Sequence, residues 1–397
     1  MNAKEQLNIL RKKTAEIIRE EELHSKIAKG RPLRVKLGID ASGPDIHLGF
    51  TVVLNKLKEF QELGHTAVLI VGDFTGKIGD PSGKSKTRPQ LTDAEVKKNI
   101  ERYSEQIFEI LDPEKTEFRY NSAWLGRLGA KDIVDLASKC TVARMLERDD
   151  FSMRYNEQKP IGLHELLYPV FQGYDSVAVE ADVELGGTDQ KFNLLVGREI
   201  QRSLGLEEQV VMLMPLLEGL DGVRKMSKSF HNYVGITEAS DGMFGKLMSI
   251  PDDLIVKYFE LTTDLTEEEV EKVRRRLEAG ENPRDLKEEL AYRVVSIYHS
   301  RSKAESAKAN FARIFREKAL PDKIPVYEIR EPRVWIVKLL TDLGFARTNS
   351  EARRLISQGA VTANEERITD PEYEIEIEDE LIMKVGKRKF ARIIPGP

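Results

Sequence analysis

The run Thr66–Val71 (TAVLIV) constrains this chain most. A continuous apolar stretch of strand length suits a strand covered on both faces, as in a parallel sheet. A second strand candidate, Leu33–Ile39, precedes it, and between the two, from His47 to Leu63, the apolar residues Val53, Leu57 and Phe60 keep helical spacing. Gly64 supplies the stop. Strand, helix and strand within residues 33–71 make a βαβ unit, right-handed by default.

The alternation continues. The pattern predicts a helix near Asp93–Leu111, a strand at Glu117–Tyr120, helices to Glu147 and a further helical stretch at Leu163–Tyr174. A strand at Asp182–Leu185, a helix at Thr188–Leu204 and a strand at Gln209–Met214 follow. The expected fold class is α/β, a doubly wound parallel sheet with a helical insertion at about 125–180 between its halves. Ahead of it, residues 4–28 read as one charged helix ending near Gly30-Arg31-Pro32. Beyond Phe230 helical patterning dominates, from Gly242 to Arg316, punctuated by Pro251 and Pro283. Glu317–Pro332 reads as a linker, and from Val334 two short helices and a set of short strands make a small α+β domain. The predicted division is 1–230, 231–317, a linker at 318–332, and 333–397.

With 397 residues the chain is long enough for two or three domains. Its net charge of −5 excludes a global basic field, although a local basic patch remains compatible with nucleic acid. One cysteine, Cys140, excludes intrachain disulfides and fits a reducing compartment. The histidines show no metal-ligand spacing, so no protein-bound structural metal is expected. No apolar stretch reaches membrane-spanning length and the first residues are not signal-like, so a cytosolic location away from membranes is expected.

Two distant stretches carry the chemistry. Asp40-Ala41-Ser42-Gly43-Pro44-Asp45-Ile46-His47-Leu48-Gly49 follows a strand and opens a helix, placing His47 and the Gly49 backbone at a positive helix end suited to phosphate. Glycine there lets an adenine ring approach the backbone. Lys225-Met226-Ser227-Lys228-Ser229 follows the last strand, at the carboxyl end of the sheet where ligands bind in open α/β folds. Two ammonium groups there suit charge building on a triphosphate. A bland reading exists for each: H-x-G recurs by chance, and two lysines three apart are usually a solvated face. Gly79-Asp80-Pro81-Ser82-Gly83-Lys84-Ser85 lacks P-loop spacing. It reads either as a surface turn or as a loop bringing Lys84 and Arg88 to a polyphosphate with Asp80 inward.

The H-x-G opening, the intact KMSKS and the run Tyr168-Pro169-Val170-Phe171-Gln172-Gly173-Tyr174-Asp175 together resemble the tyrosyl-tRNA synthetases, a class I aminoacyl-tRNA synthetase family. The resemblance covers essentially the whole chain. It implies activation of tyrosine with ATP to tyrosyl-adenylate and transfer of tyrosyl to the 3′-terminal adenosine of tRNA-Tyr. It also implies magnesium entering with ATP, a homodimer formed through the insertion, and an anticodon-arm role for residues 231–317. Asp175 matches the reader of the substrate phenol, and Tyr168, Gln172 and Asp80 match groups holding its ammonium, with Gln190 beside them. Gly187, Thr188, Asp189 and Gln190 match the segment contacting ribose and the activated carboxyl. Gly38, Asp40, Ser42 and Gly49 fall in the ATP-binding stretch, while His47, Lys84, Arg88, Lys225, Lys228 and Ser229 match groups around the phosphates. Because the substrate carboxylate is itself the nucleophile, no catalytic serine or cysteine is required.

Three departures stand out. Phe50 replaces the second histidine usual in the signature, and Lys36 stands where many relatives carry a tyrosine touching the phenol. Asn364-Glu365-Glu366 stands where a hairpin glycine is common. The tail from Arg333 resembles the alpha-L RNA-binding domain, with Arg353, Arg354, Lys387, Arg388 and Lys389 as a phosphate-binding patch. Three rival readings remain open on the residues alone: a small-molecule nucleotidylyltransferase, a tryptophanyl-tRNA synthetase, and an RNA-binding relative without catalysis.

Overall fold

The computed structural model describes residues 1–39, 45–79, 102–316, 324–364, 366–377, 379–386 and 389–396, without the side chains of 314–316. Met1–Glu305 and Ser306–Pro397 form two compact units.

The first unit is built on six strands: β1 (Glu16–Ile18), β2 (Arg34–Ile39), β3 (Thr66–Val71), β4 (Thr116–Tyr120), β5 (Val183–Gly187) and β6 (Val210–Met214). Their order is β1-β6-β5-β2-β3-β4. All neighbours are parallel except β1, which runs antiparallel to β6. As its apolar run predicts, β3 is almost wholly buried, and all of β6 is buried too. The chain leaves β2 toward β3 on one side and β5 toward β6 on the other. The carboxyl ends of β2 and β5 are therefore the switch point at which a ligand crevice opens.

The helix Leu48–Glu62 crosses from β2 to β3 with Leu54, Leu57 and Phe60 fully buried, and it ends at Gly64, whose φ of +92° few other residues adopt. The helices Leu163–Ala178 and Lys191–Ser203 pack so closely that a Cβ on Gly173 would lie 3.1 Å from the Gly197 Cα. That contact seats the helix carrying Tyr168, Gln172 and Asp175. Shorter helices at Ser122–Leu125, Ala130–Ala137, Val142–Met145 and Asp149–Asn156 occupy the insertion. The predicted helix Asp93–Leu111 lies partly outside the described residues.

The amino-terminal segment differs from its prediction. Instead of one helix over 4–28, the chain forms helices at Ala3–Arg11 and Glu20–Ala28 with β1 between them. The cause is tertiary. Without β1, β6 would be an open edge strand. Pairing to it (Glu16 against Leu213, Ile18 against Val211) requires the chain to turn at Lys13 and Arg19, both at positive φ. Buried Lys56 fixes the turn by donating to the carbonyls of Leu10 (3.1 Å) and Lys12 (2.7 Å).

In the second unit, β7 (Val326–Ile329), β9 (Val361–Ala363), β10 (Glu366–Ile368), β12 (Leu381–Val385) and β13 (Lys389–Pro395) form one sheet, ordered β10-β9-β12-β13-β7. A two-stranded ribbon pairs β8 (Arg333–Trp335) with β11 (Glu374–Glu376). Val337, Leu340, Ile356, Val361, Met383 and Ile393 are fully buried and give this unit a core of its own. β7 corrects the linker reading of 318–332: its backbone pairs in parallel with β13, so Val326–Ile329 belongs to the sheet. At the hairpin lacking glycine, Asn364 takes φ +46°, and its side chain accepts from the Ile382 N–H at 2.8 Å. Asparagine tolerates this left-handed conformation better than most residues.

Candidate active site

A cavity of about 300 Å³ opens at the carboxyl ends of β2 and β5, and both sequence motifs line it. They are tied by backbone. Leu48 N–H donates to Val234 O at 2.9 Å, and Ile236 N–H donates to Ile46 O at 2.9 Å, so the segment just after KMSKS pairs with the segment carrying His47.

His47 is the N-cap of its helix. Its Nδ1 accepts from Phe50 N–H at 3.2 Å, which assigns the ring proton to Nε2. Burial, helped by the nearby ammonium groups of Lys228 and Lys225, pushes its pKa down to about 4. The ring is thus neutral at physiological pH and offers one N–H. Gly49 matters for a reason the motif does not reveal: a Cβ there would lie 3.1 Å from Met226 Cβ and 3.2 Å from His47 Nδ1. Glycine lets the KMSKS loop close against the helix start. Phe50 also lines the cavity.

The loop itself is stapled. Met226 N–H donates to Leu217 O (2.7 Å) and Ser227 N–H to the Asn232 side-chain oxygen (2.9 Å). The Asn232 amide donates in turn to Lys225 O (3.2 Å), Arg224 O (3.3 Å) and the Asp221 carboxylate (3.2 Å). Lys225 forms an ion pair with Asp189, and Lys228 donates to the Tyr103 hydroxyl.

Deeper in, Asp175 is buried. One carboxylate oxygen accepts from Trp124 Nε1 at 2.8 Å and the other from the Asn121 amide at 3.2 Å. Burial pushes its pKa up to about 7, against the pull of the Lys36 ammonium and these two hydrogen bonds. Lys36 is fully buried beside its register partner Glu184 at 2.9 Å, and it donates to Gln172 O and Ser176 Oγ, both at 2.8 Å. Its ammonium is thus engaged within the protein, and Lys36 does not line the cavity as a phenol contact would. Removing one partner of such a pair would cost on the order of 3–5 kcal/mol through the stranded charge, which makes it a fixture of the cavity wall. Gln172 and Gln190 each accept from the Asn193 amide at 3.1 Å.

The cavity therefore unites Gly38, His47, Gly49, Tyr168, Gln172 and Asp175 with Gly187, Asp189, Gln190, Lys225, Lys228 and Ser229. Asp40, Ser42, Asp80, Lys84 and Arg88 lie outside the described residues, as do Lys387 and Arg388. In the second unit Arg353 pairs with Glu372 and stacks on Trp335, 5.1 Å from the ring centre. Arg354 is exposed, and Lys389 donates to Phe345 O at 2.5 Å. Among the described residues no cluster of histidine, cysteine or carboxylate side chains could hold a metal ion, and no helix is long and apolar enough to cross a membrane.

Residues 28–316 match the family described as tRNA synthetases class I (W and Y), and residues 334–381 match the S4 domain. That family spans two amino acids. The curated relatives separate them: a tyrosine–tRNA ligase from Moorella thermoacetica is 54% identical over 98% of this chain and 95% of its own length. The chain belongs to the tyrosyl-tRNA synthetases. A second tyrosine–tRNA ligase, from Thermotoga maritima, is 53% identical over 100% of this chain and 99% of its own. Among solved structures, an Archaeoglobus fulgidus tyrosyl-tRNA synthetase complexed with L-tyrosine superposes with a TM-score of 0.63 at 22% identity. It covers 77% of this chain and 100% of that one, a likeness of fold. The enzyme's site also holds residues that sequence reasoning missed: Tyr103, Asn121, Trp124, Asn193 and Asn232. None sits in a recognisable motif; Tyr103, Asn121 and Trp124 gain their places from partners more than 50 residues away in sequence.

Proposed function

We propose that this cavity activates tyrosine and that the chain then charges tRNA-Tyr. In the first step a tyrosine carboxylate oxygen attacks the α-phosphorus of ATP. The new C–O–P linkage forms as the bond to pyrophosphate breaks, and pyrophosphate leaves with magnesium that entered as part of the nucleotide substrate. In the second step the terminal ribose hydroxyl of the tRNA attacks the adenylate carbonyl and AMP departs. The protein's part is to position the reactants and neutralise charge.

The observation that carries this reading is the backbone pairing of the His47 segment with the segment after KMSKS. It supports a single nucleotide site that holds a neutral imidazole N–H and two ammonium groups together. His47, Lys225 and Lys228, with Lys84 and Arg88, act on the phosphates, and Ser229 lies beside them. Gly38, Asp40, Ser42, Gly49, Gly187 and Asp189 hold the nucleoside. Asp175 reads the phenol, and Tyr168, Gln172, Gln190 and Asp80 hold the substrate amine. Lys225 exchanges Asp189 for phosphate when ATP arrives.

In the second unit Arg353, Arg354, Lys387, Arg388 and Lys389 bind tRNA phosphates, and residues 231–317 meet the anticodon arm. A homodimer joined through the insertion is supported by its exposed apolar side chains, Val134 at 66%, Val142 at 63% and Tyr155 at 64%. A cytosolic location accords with these substrates. Pyrophosphate exchange into ATP, run with tyrosine, tryptophan and pantetheine phosphate in turn, tests the substrate. Exchange with tyrosine alone is expected, and exchange with tryptophan in its place would overturn the reading.

A further inference from the structure

The KMSKS backbone is fixed by Asn232, Leu217 and the close approach at Gly49, but a lysine side chain still has four rotatable bonds beyond that backbone. The structure shows what restrains one of them. Tyr103, buried at 7% exposure, lines the cavity opposite the loop. Its hydroxyl accepts from Lys228 Nζ, and the same ammonium lies 4.5 Å from the centre of its ring. One hydroxyl acceptor, contributed by a segment 125 residues upstream, therefore holds the cation, which sits past the edge of the ring beside the oxygen. The ammonium held in this way lines the same cavity as His47 and helps keep its imidazole neutral. Phenylalanine would keep the ring's volume and lose the acceptor; leucine would lose both.

We propose that Tyr103 is a positioning residue for adenylate formation, holding the Lys228 ammonium beside His47 so that it meets the phosphates without a conformational search. The inference rests on the nucleotide site described above and adds a residue outside both motifs. Lysine side chains carry large rotamer freedom, and a hydrogen bond from a charged donor offsets a comparable amount. Tyr103→Leu should therefore slow single-turnover adenylate formation about tenfold, with tyrosine affinity unchanged and Tyr103→Phe slowed to a similar extent.

The deciding experiment is a double-mutant cycle with Lys228→Ala, each protein first checked for native near-ultraviolet circular dichroism. If Tyr103 acts through Lys228, the leucine substitution costs less than about twofold once the lysine is gone. An equal cost on both backgrounds would show a merely structural role and overturn the proposal, as would a full wild-type rate in Tyr103→Leu. The phenylalanine variant, which preserves volume, supplies the same comparison if leucine perturbs folding. An enzyme that exchanges pyrophosphate with another amino acid and not tyrosine would overturn the substrate reading, and the cycle run with that amino acid would still decide Tyr103.

Discussion

His47 caps its helix through one nitrogen and, in the function proposed above, offers the other to phosphate, and the two tasks can be separated. Nδ1 caps the helix Leu48–Glu62 by accepting from Phe50 N–H, while Nε2–H is the donor left for phosphate. Losing an N-cap costs about 1 kcal/mol of stability. Losing one preorganised donor to a transition-state oxyanion costs about 10²–10³ in rate. His47→Ala should show both losses. Asparagine places its side-chain oxygen near the Nδ1 position, so His47→Asn should recover stability to within about 0.5 kcal/mol of wild type yet stay slow in activation. Glutamine reaches toward the Nε2 position, so His47→Gln should recover part of the rate and little of the stability.

Urea unfolding and single-turnover adenylate formation measure the two independently. A His47→Asn protein as unstable as His47→Ala, or a His47→Ala protein with the wild-type activation rate, would refute the division of labour. The pH dependence has a definite sign. The folded pKa of about 4 lies below the ordinary 6.5, so folding favours the neutral ring. The stabilisation is complete above pH 6.5 and disappears as pH falls toward 4. His47→Ala should flatten that acid limb, and His47 itself should add no titration to the activation rate between about pH 6 and 8.

Asp175 carries the opposite sign: its folded pKa near 7 lies above the ordinary 3.8, so its contribution to stability is complete below pH 3.8 and lost as pH rises through 7. Urea titrations of Asp175→Asn across that range should show a flatter profile than wild type. Asp175→Ala should weaken tyrosine on the order of ten- to a hundredfold and phenylalanine far less; equal losses would remove it as the phenol reader. In the tail, Arg353 and Glu372 are an exposed pair of side chains, worth about 0–1 kcal/mol, which a phosphate displaces readily. Arg353→Ala should lower tRNA affinity and reduce the salt slope of binding by about 0.7–0.9, and an unchanged slope would exclude a phosphate contact. Ending the chain after Arg316 should spare adenylate formation and impair transfer to tRNA; transfer at the full rate would refute the role given to the second unit.

What the sequence revealed follows a physical divide. β3 and the helix from Leu48 are visible because burial on both faces or one face writes a local period into the residues. The two motifs are visible because phosphate chemistry concentrates histidine, glycine and lysine in short stretches. β1 was hidden: its strand state exists only because β6 needs an edge partner, and the residues around it suit a helix as well. β7 was hidden in the same way behind the prolines and charges of its neighbours. Tyr103, Asn121 and Trp124 were hidden because an aromatic or amide residue outside a motif has no distinguishing local pattern. Lys36 and Glu184 did leave a trace, an opposite-charge pair each flanked by apolar residues within its strand (VKL in RVKLGI and VEL in VELGG), which becomes informative only once β2 and β5 are known to be neighbours in that register.

The two KMSKS lysines show how a site for a triphosphate tolerates being built before its ligand arrives. Cations crowded around a helix N-terminus repel one another and the helix dipole, so side chains left alone would swing outward. Here each has a weak partner. Lys225 has Asp189, in a pair whose side chains are 34% and 23% exposed, and Lys228 has the hydroxyl of Tyr103. A half-exposed ion pair contributes at most about 1 kcal/mol, too little to compete with a polyphosphate carrying several charges. Asp189→Asn separates this arrangement from a rigid one. If the carboxylate gives up Lys225 when ATP binds, the variant removes a pair that the nucleotide has to break, and that part of its effect on ATP affinity should disappear when Lys225 is replaced by alanine. An effect that persists undiminished on that background would mean the ion pair survives in the nucleotide complex.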